Sequence, residues 1–176
     1  MLIHAHTVSL VLLLLIHLPI PPATAEPREP RATAAIVAPV VPECPNDWLH
    51  DDSGLCVWVS TEKAVWWRAA NTCQTLNSRL TYIESEREGF IITGILIAKG
   101  INATWIGLND LDVESSFNWV GSEPITYSNF AIGQPSGRGV HADEDCVAIS
   151  SDLGYMWDDL YCFLELRFVC RKDMIN

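Results

Sequence analysis

Six cysteines constrain this chain of 176 residues more than any other feature, because all of them follow residue 43. An even number of cysteines in an oxidising compartment is typical of a fold held together by disulfide bonds. Six cysteines allow fifteen pairings, so the count alone fixes no connectivity. The run CPNDWLHDDSGLCVWVS, which begins at Cys44, has turn residues between two short apolar segments. It predicts a β-hairpin closed by Cys44 and Cys56.

The first residues predict the compartment. Val8–Leu18 is almost continuously apolar, is too short to span a bilayer comfortably, and is followed by a proline-rich break. Ala23–Ala25 supplies the small residues that a signal peptidase recognises. We therefore predict a signal peptide at 1–25 and a secreted, extracellular chain. An uncleaved anchor is the alternative, because no Lys or Arg precedes the apolar run, and no later segment is long enough to span a membrane.

Composition separates a tail from a domain. Residues 26–43 are rich in proline and alanine and contain no aromatic residue, so they predict an extended N-terminal tail or linker. The domain is predicted to occupy 44–171. The formal net charge of −11 argues against nucleic acid or an anionic membrane surface as a partner, whereas it is compatible with binding a cation.

Two helices and several short strands are predicted within the domain. Thr61 is the predicted N-cap of the first helix, whose apolar residues recur at helical spacing, namely Trp66, Ala69, Ala70, Cys73 and Leu76. Ser85–Glu88 is a capping box for the second helix, and Gly100 ends it. The apolar residues assigned to one face of this helix are Phe90, Gly94, Ile97 and Ala98. The strands are predicted at Leu80–Ile83, Trp105–Leu108, Phe117–Val120 and Leu166–Cys170.

A glycosylation sequon, Asn102-Ala103-Thr104, follows the second helix. Secretion would make its use plausible, and the predicted loop would expose it. Such a triplet also occurs by chance in many chains, so both an occupied and an unoccupied Asn102 stay open.

The stretch from Gln134 to Asp159 concentrates negative charge. Its six carboxylates are Asp143, Glu144, Asp145, Asp152, Asp158 and Asp159. Cys146–Ile149 and Tyr155–Trp157 predict an antiparallel hairpin with a turn between them. If Ile149 pairs with Tyr155, Asp145 faces Asp159 and four carboxylates gather at the open end, where like charges destabilise the strand pair. An oxygen-only ligand set of this kind favours calcium over zinc, and a solvated acidic loop is the alternative.

Taken together, the motifs resemble those of a known family. They are WIGL at 105–108, FNW at 117–119, YSNF at 127–130, QPS at 134–136, EDCV at 144–147 and WDD at 157–159, taken in order along the chain together with the six cysteines. The chain resembles a C-type lectin-like domain of the long form over about 44–171, and its layout is similar to secreted invertebrate perlucin-like lectins. The resemblance implies an α+β fold with two helices packed on short antiparallel sheets, a long calcium-binding loop region and three disulfides. The implied pairs are Cys44–Cys56, Cys73–Cys170 and Cys146–Cys162.

The resemblance also implies a calcium site beside a cis-proline, Pro135. Carried over to this chain, its ligands are Gln134, Ser136, Glu144, Asp158 and Asp159, and the first four of these also bind two vicinal sugar hydroxyls. Ser136 stands where the family has Asn or Asp, and Asp158 stands where it has Asn. Ionised Asp158 only accepts hydrogen bonds, whereas Asn also donates. Gln134 favours galactose-type ligands, and His141 is the one ring in the loop that follows, where a solvated histidine is the alternative.

A second calcium site is implied at Asp110, Glu114, Glu144 and the Asp145 carbonyl. Gly137 replaces one of its usual acidic residues. A solvated turn is the alternative explanation for Asp110 and Glu114.

The leading hypothesis is a secreted, calcium-dependent lectin that recognises glycans on microbes or matrix. The alternative is an interaction or mineral-associated protein of the same fold that has lost sugar binding. An enzyme is disfavoured, because the predicted mature chain has only His50 and His141 and no Ser/His/Asp or Cys/His arrangement. Glu144 and Asp158 could in principle form the carboxylate pair of a glycosidase, but calcium ligation would occupy both groups instead. The oligomeric state stays open, although avidity would favour a homo-oligomer.

Overall fold

The computed structural model describes residues 44–45, 47–51, 54–121, 123–136 and 143–172. The predicted signal peptide, the predicted tail, Gly137 and His141 lie outside these ranges. Among the described residues, no helix is both long enough and apolar enough to cross a membrane.

Two helices and nine strands make up the described part of the chain. The helices are α1 (Trp66–Thr75) and α2 (Glu86–Ala98). The strands are β1 (Leu49–His50), β2 (Cys56–Val59), β3 (Arg79–Leu80), β4 (Ala103–Asn109), β5 (Asn118–Trp119), β6 (Glu123–Pro124), β7 (Cys146–Ser150), β8 (Met156–Leu160) and β9 (Arg167–Lys172). The strands pair in the order β1-β2-β9-β4-β5-β6, while β3 joins β9, β7 joins β4 and β8 joins β7. All pairs are antiparallel except β4 with β9.

Three disulfides connect these elements. They join Cys44 to Cys56, Cys73 to Cys170 and Cys146 to Cys162, which confirms the pairing that the resemblance implies. The bridge that closes the longest loop, of 97 residues, ties α1 to β9. A disulfide typically stabilises a fold by about 2–4 kcal/mol, and the contribution grows with the length of the loop that it closes. The predicted N-terminal hairpin is also present, because β1 pairs with β2.

The start of α1 differs from the prediction. The helix begins at Trp66 rather than after Thr61, and its N-cap, Val65, makes no side-chain cap. The Trp66 amide instead donates to the Cys162 carbonyl at 3.0 Å, so a tertiary contact satisfies a terminal N–H group. Trp66, Ala69, Ala70 and Cys73 are buried as predicted, whereas Leu76 lies just past the last turn and is 39% exposed.

The face of α2 that packs into the core is not the face predicted from the sequence. Ile92 and Leu96 enter the core, whereas Phe90 is 70% exposed and Ile97 is 56% exposed. The helix is apolar almost all round after its first turn, so periodicity did not distinguish its two sides. Its start is as predicted, since the Ser85 hydroxyl accepts from the Glu88 amide. Its end is also as predicted, with Gly100 at a positive φ of 63°.

Gly107 lets two strands approach closely at the centre of the fold. Its amide donates to the Thr81 carbonyl at 2.7 Å. A Cβ at this position would lie 2.7 Å from the Leu80 carbonyl oxygen, which is backbone and cannot move aside cheaply. Glycine is therefore required here by packing. At Gly94, in the exposed part of α2, a Cβ would meet nothing within 4 Å.

We expect Gly107→Ala to destabilise the disulfide-bonded protein by about 1–3 kcal/mol, because the added methyl group overpacks the contact with β3. Gly94→Ala is the matched control and should stabilise by about 0.5–1 kcal/mol, since alanine favours a helix interior. Urea unfolding followed by tryptophan fluorescence measures both changes. Equal stability of Gly107→Ala and the unmodified protein would contradict the packing described.

Candidate metal centre

The acidic hairpin has a different register from the predicted one. Ile149 pairs with Trp157 and Val147 pairs with Asp159, so the pairing is shifted by two residues. The reason is the turn, where a 3-10 segment at Ser151–Leu153 is followed by Gly154 and Tyr155, both with positive φ. Asp158 and Asp159 therefore lie inside β8 opposite apolar residues of β7. They do not face Asp145 at the open end, which avoids the repulsion between opposed charges.

Trp157 anchors β8 in the core beside the two aspartates. Its side chain is 1% exposed and makes edge-to-face contacts with the rings of Trp119, Tyr127 and Phe130 at centroid distances of 5.6 to 5.7 Å. Such contacts add about 0.5–1.5 kcal/mol each beyond the area they bury. The backbone directions of Asp158 and Asp159 are thus set by a packed strand.

A second segment is bonded to β8 and leads to Gln134. The Trp157 amide donates to the Asn129 carbonyl, and the Ala131 amide donates to the Trp157 carbonyl, both at 2.9 Å. The Gln134 backbone amide then donates to the Ala131 carbonyl, closing a tight turn. The Gln134–Pro135 bond is cis, as the resemblance implies. This path brings Gln134 and Ser136 against the aspartates of β8.

Three donors of the Gln134–Ser136 segment bind three different carboxylates. The Gln134 side-chain amide donates to Asp158 Oδ1 at 2.6 Å. The Ser136 backbone amide donates to Asp159 Oδ1 at 2.9 Å, and the Ser136 hydroxyl donates to Glu144 Oε2 at 3.1 Å. We call these five residues, Gln134, Ser136, Glu144, Asp158 and Asp159, the primary cluster. The structure thus brings all five predicted ligands of the first site together.

One buried atom of the primary cluster has no hydrogen-bond partner. Gln134 Oε1 is buried and accepts no hydrogen bond, although burying an unsatisfied oxygen is costly. The Asp159 side chain is itself 1% exposed. Buried amide and carboxylate oxygens at one point are the donor set that calcium prefers. The residues present therefore fit a calcium ion, which would supply the missing partner of Oε1.

Electrostatics of the cluster are dominated by burial and by like charge. Burial raises the pKa of Asp158, and the nearby charges of Asp159 and Glu144 raise it further. The hydrogen bond from Gln134 opposes the increase because it favours the ionised form. A cation at this position would favour ionised Asp158.

A second acidic cluster lies where the loop after β4 meets the start of β7. Carboxylate oxygens of Asp110, Glu114 and Asp145 all lie within 4.8 Å of one another. Asp110 is 4% exposed, and one of its oxygens accepts from the Ser115 amide at 2.7 Å. Its other oxygen, Oδ1, is buried without a partner. We call Asp110, Glu114 and Asp145 the secondary cluster, and its donor set also fits calcium.

The secondary cluster differs in composition from the predicted second site. The Asp145 carboxylate belongs to it, whereas the Asp145 carbonyl accepts from the Asp110 amide at 3.1 Å. Glu144 is not one of its members and accepts instead from Ser136. Neighbouring side chains of an extended segment point to opposite sides, and this alternation was a sequence signal that would have separated Glu144 from Asp145.

Burial is the main cause of a raised pKa at Asp110, which moves from 3.8 to about 6. The charges of Glu114 and Asp145 add to the increase, and the Ser115 hydrogen bond reduces it. Burial and the charges of Glu114 and Asp143 also raise the pKa of Asp145. Folding therefore places these carboxylates where their ionised forms are poorly solvated, and a cation bound there would favour ionisation.

Comparisons with known proteins decide the family. A family model described as Lectin C-type domain matches residues 62–172. The chain belongs to the C-type lectin domain family. This C-type lectin domain is 34% identical over 129 residues to perlucin from Haliotis laevigata, covering 72% of the chain and 82% of perlucin. It is 32% identical over 132 residues to CD209 antigen-like protein D from Mus musculus, covering 73% of the chain but only 52% of that relative.

Solved structures agree on the fold of this C-type lectin domain. The carbohydrate-recognition domain of the mouse scavenger receptor C-type lectin matches with a TM-score of 0.67 and 29% identity, over 76% of the chain and 98% of that structure. Herring type II antifreeze protein matches with a TM-score of 0.67 and 25% identity, over 75% of the chain and 100% of that structure. The predicted α+β fold with two helices and three disulfides is confirmed.

We expect calcium binding to weaken as the pH falls through about 6, the pKa of Asp110, because protons then compete with the ion for that carboxylate. The stability of the ion-free protein changes with pH in the opposite direction. A raised carboxyl pKa means that the folded state holds the proton more firmly, so ion-free stability falls as the pH rises from 3.8 to about 6.

Isothermal calorimetry with calcium on either side of pH 6 measures the first effect, and thermal unfolding in chelator over the same range measures the second. Asp110→Asn has no titrating group at this position and is the control, in which both pH dependences should shrink. Calcium affinity that is independent of pH across this range would contradict the raised pKa of Asp110.

Proposed function

We propose that the chain is a secreted, calcium-dependent lectin that holds an ion and a saccharide at the primary cluster. The observation that carries this proposal is that the Gln134–Ser136 segment binds three carboxylates and also carries a buried amide oxygen without a hydrogen-bond partner, Gln134 Oε1. Membership of the C-type lectin domain family supports it. The lectin would act in recognition of glycans on microbes or matrix.

Gln134, Ser136, Glu144, Asp158 and Asp159 are the proposed ligands of the first ion. The charge count supports binding despite the two unusual residues. Glu144, Asp158 and Asp159 give three ionised ligands, and calcium affinity depends on ligand charge and on rigidity of the site. The uncharged Ser136 hydroxyl thus does not leave the site short of negative charge. We propose a second ion at the secondary cluster, where Asp110 Oδ1 lacks a partner.

A bound calcium ion would supply two coordination positions to neighbouring hydroxyls of a sugar. The chain's own residues Gln134, Ser136, Glu144 and Asp158 would orient those hydroxyls by hydrogen bonds. Gln134 supports a galactose-type ligand by its resemblance to Gln-Pro-Asp sites. Because ionised Asp158 only accepts hydrogen bonds, a hydroxyl bound to it must donate.

Secretion and glycosylation belong to the same proposal. Asn102 is exposed directly before β4, so a glycan there would not disturb the core. Oxidising conditions suit three disulfides in a domain of this size.

A second candidate is an interaction or mineral-associated protein of the same fold. Two observations favour it: the replacement of the usual ligands at Ser136 and Asp158, and the fold shared with herring type II antifreeze protein, whose name does not describe a lectin. Under this alternative the ion still binds and no saccharide does.

We expect the protein to bind galactose or mannose resin in calcium and to elute with EDTA, because removing the ion removes the coordination of the sugar. Glu144→Gln keeps the size of the side chain but removes one charge, and should lose resin binding and weaken calcium binding at least about tenfold. Asp152→Asn, in the exposed turn between β7 and β8, is the control and should bind like the unmodified protein.

A glycan array run with calcium and again with chelator extends the test to other saccharides. A heat of calcium binding in calorimetry, together with no retention of any glycan, would favour the second candidate. Turnover of a sugar substrate would contradict both and revive the carboxylate pair as a glycosidase.

A further inference from the structure

One side of α2 is apolar and points away from the core. Phe90 is 70% exposed and Ile97 is 56% exposed, and Gly94 and Ala98 are exposed beside them. Because residues three, four, seven and eight positions apart share one side of a helix, these four residues form one continuous stripe. We call Phe90, Gly94, Ile97 and Ala98 the outer face of α2. A contiguous apolar set, unlike a single exposed side chain, indicates an interaction surface.

The glycine at the centre of the outer face is not required by the packing of the described residues. A Cβ at Gly94 would project into open space among them, and Gly94 does not have a positive φ. Glycine inside a helix costs about 0.5–1 kcal/mol relative to alanine, so Gly94 weakens the isolated helix. What glycine provides instead is a gap in the surface, through which the backbone of a second helix can approach closely.

The side-chain sizes along the outer face match those of a second copy of α2 in antiparallel orientation. When Gly94 is placed opposite Gly94 of the second copy, Phe90 lies four residues before the crossing point and Ala98 lies four residues after it. Each Phe90 ring then meets Ala98 of the second copy, so a large side chain packs against a small one on both sides of the crossing. A two-fold axis through the crossing makes the two contacts identical, which is the usual symmetry of a homodimer.

Charge favours the same orientation. Glu84 and Glu86 are exposed at the start of α2, whereas Lys99 is exposed at its C-cap. Arg87, the cation of the first turn, already pairs with Asp51 at 3.1 Å. An antiparallel pair places each acidic end beside Lys99 of the second copy and also opposes the two helix dipoles, and both arrangements are attractive. A parallel pair would place carboxylates beside carboxylates.

We propose that the outer face of α2 is the interface of a homodimer in which two helices cross antiparallel at Gly94. This inference does not depend on the proposed lectin function. The helix is about 20 Å long, so one such face is smaller than the interface of a permanent dimer and the association is weak and concentration-dependent. A dimer would carry two primary clusters, and two linked sites raise the avidity for a surface that presents many copies of a ligand.

Sedimentation velocity of the full disulfide-bonded chain, from about 1 μM to about 1 mM, measures the association. Physiological ionic strength screens the formal net charge of −11, which otherwise opposes contact between two copies. We expect the mass per particle to approach that of two chains at the highest concentration, with a Kd of about 10–100 μM. Phe90→Glu places a carboxylate against the apolar face of the second copy and should weaken the association at least about tenfold. Phe163→Glu is the matched control, because Phe163 is 76% exposed outside α2, and this variant should associate like the unmodified protein.

Gly94→Leu fills the gap without adding charge and should also prevent association, while thermal unfolding shows that the variant is folded. Lys99→Glu tests the orientation: it should weaken the dimer about threefold, and adding Glu86→Lys to the same chain should restore it, because the two positions meet only in an antiparallel pair. Particles of one chain at every concentration would overturn the inference, whatever else covers the outer face. So would a dimer that survives both Phe90→Glu and Gly94→Leu, a dimer that Phe163→Glu abolishes, or a charge exchange that restores nothing.

Discussion

Three hydrogen bonds from Gln134 and Ser136 hold the binding end of this protein together. Each bond ends on a different carboxylate, and the three carboxylates come from β8 and from the segment before β7. Without these donors, three like charges would face one another in a partly buried position, where repulsion is stronger than in water. The donors relieve part of that cost, and a cation would relieve the rest. The five residues of the primary cluster are therefore held together by hydrogen bonds of the chain itself.

The frame beneath the site is set by covalent and apolar contacts. The Cys146–Cys162 bridge joins the start of β7 to the residues after β8, and both cysteines are buried. Trp157 fixes β8 against the aromatic core directly beside the two aspartates. The packed strand and the bridge fix the backbone at Asp158 and Asp159, which limits how far their carboxylates can separate. Rigidity of this kind raises the affinity of an oxygen site for calcium.

Sequence patterns predicted most of the fold, and the family resemblance implied the members of the primary cluster, but neither gave the exact placement of the residues. The register of β7 and β8 was wrong by two residues, because turn residues at 150–154 do not reveal that the turn also includes Tyr155 at a positive φ. The buried face of α2 was wrong because its sequence is apolar on both sides, so tertiary packing alone selects Ile92 and Leu96. Asp145 was predicted to contribute its carbonyl oxygen to the second site, whereas its carboxylate lies in the secondary cluster. That placement depends on the path of the loop after β4, which the sequence does not reveal.

The central claim is that the primary cluster is a calcium site whose ligands the chain has already assembled. The most direct measurement is a crystal structure of the protein grown with calcium, in which anomalous scattering locates the ions. The account predicts an anomalous peak within coordination distance of Gln134 Oε1 and of carboxylate oxygens from Glu144, Asp158 and Asp159. Absence of any peak there in saturating calcium, with the bonds from Gln134 and Ser136 intact, would contradict it.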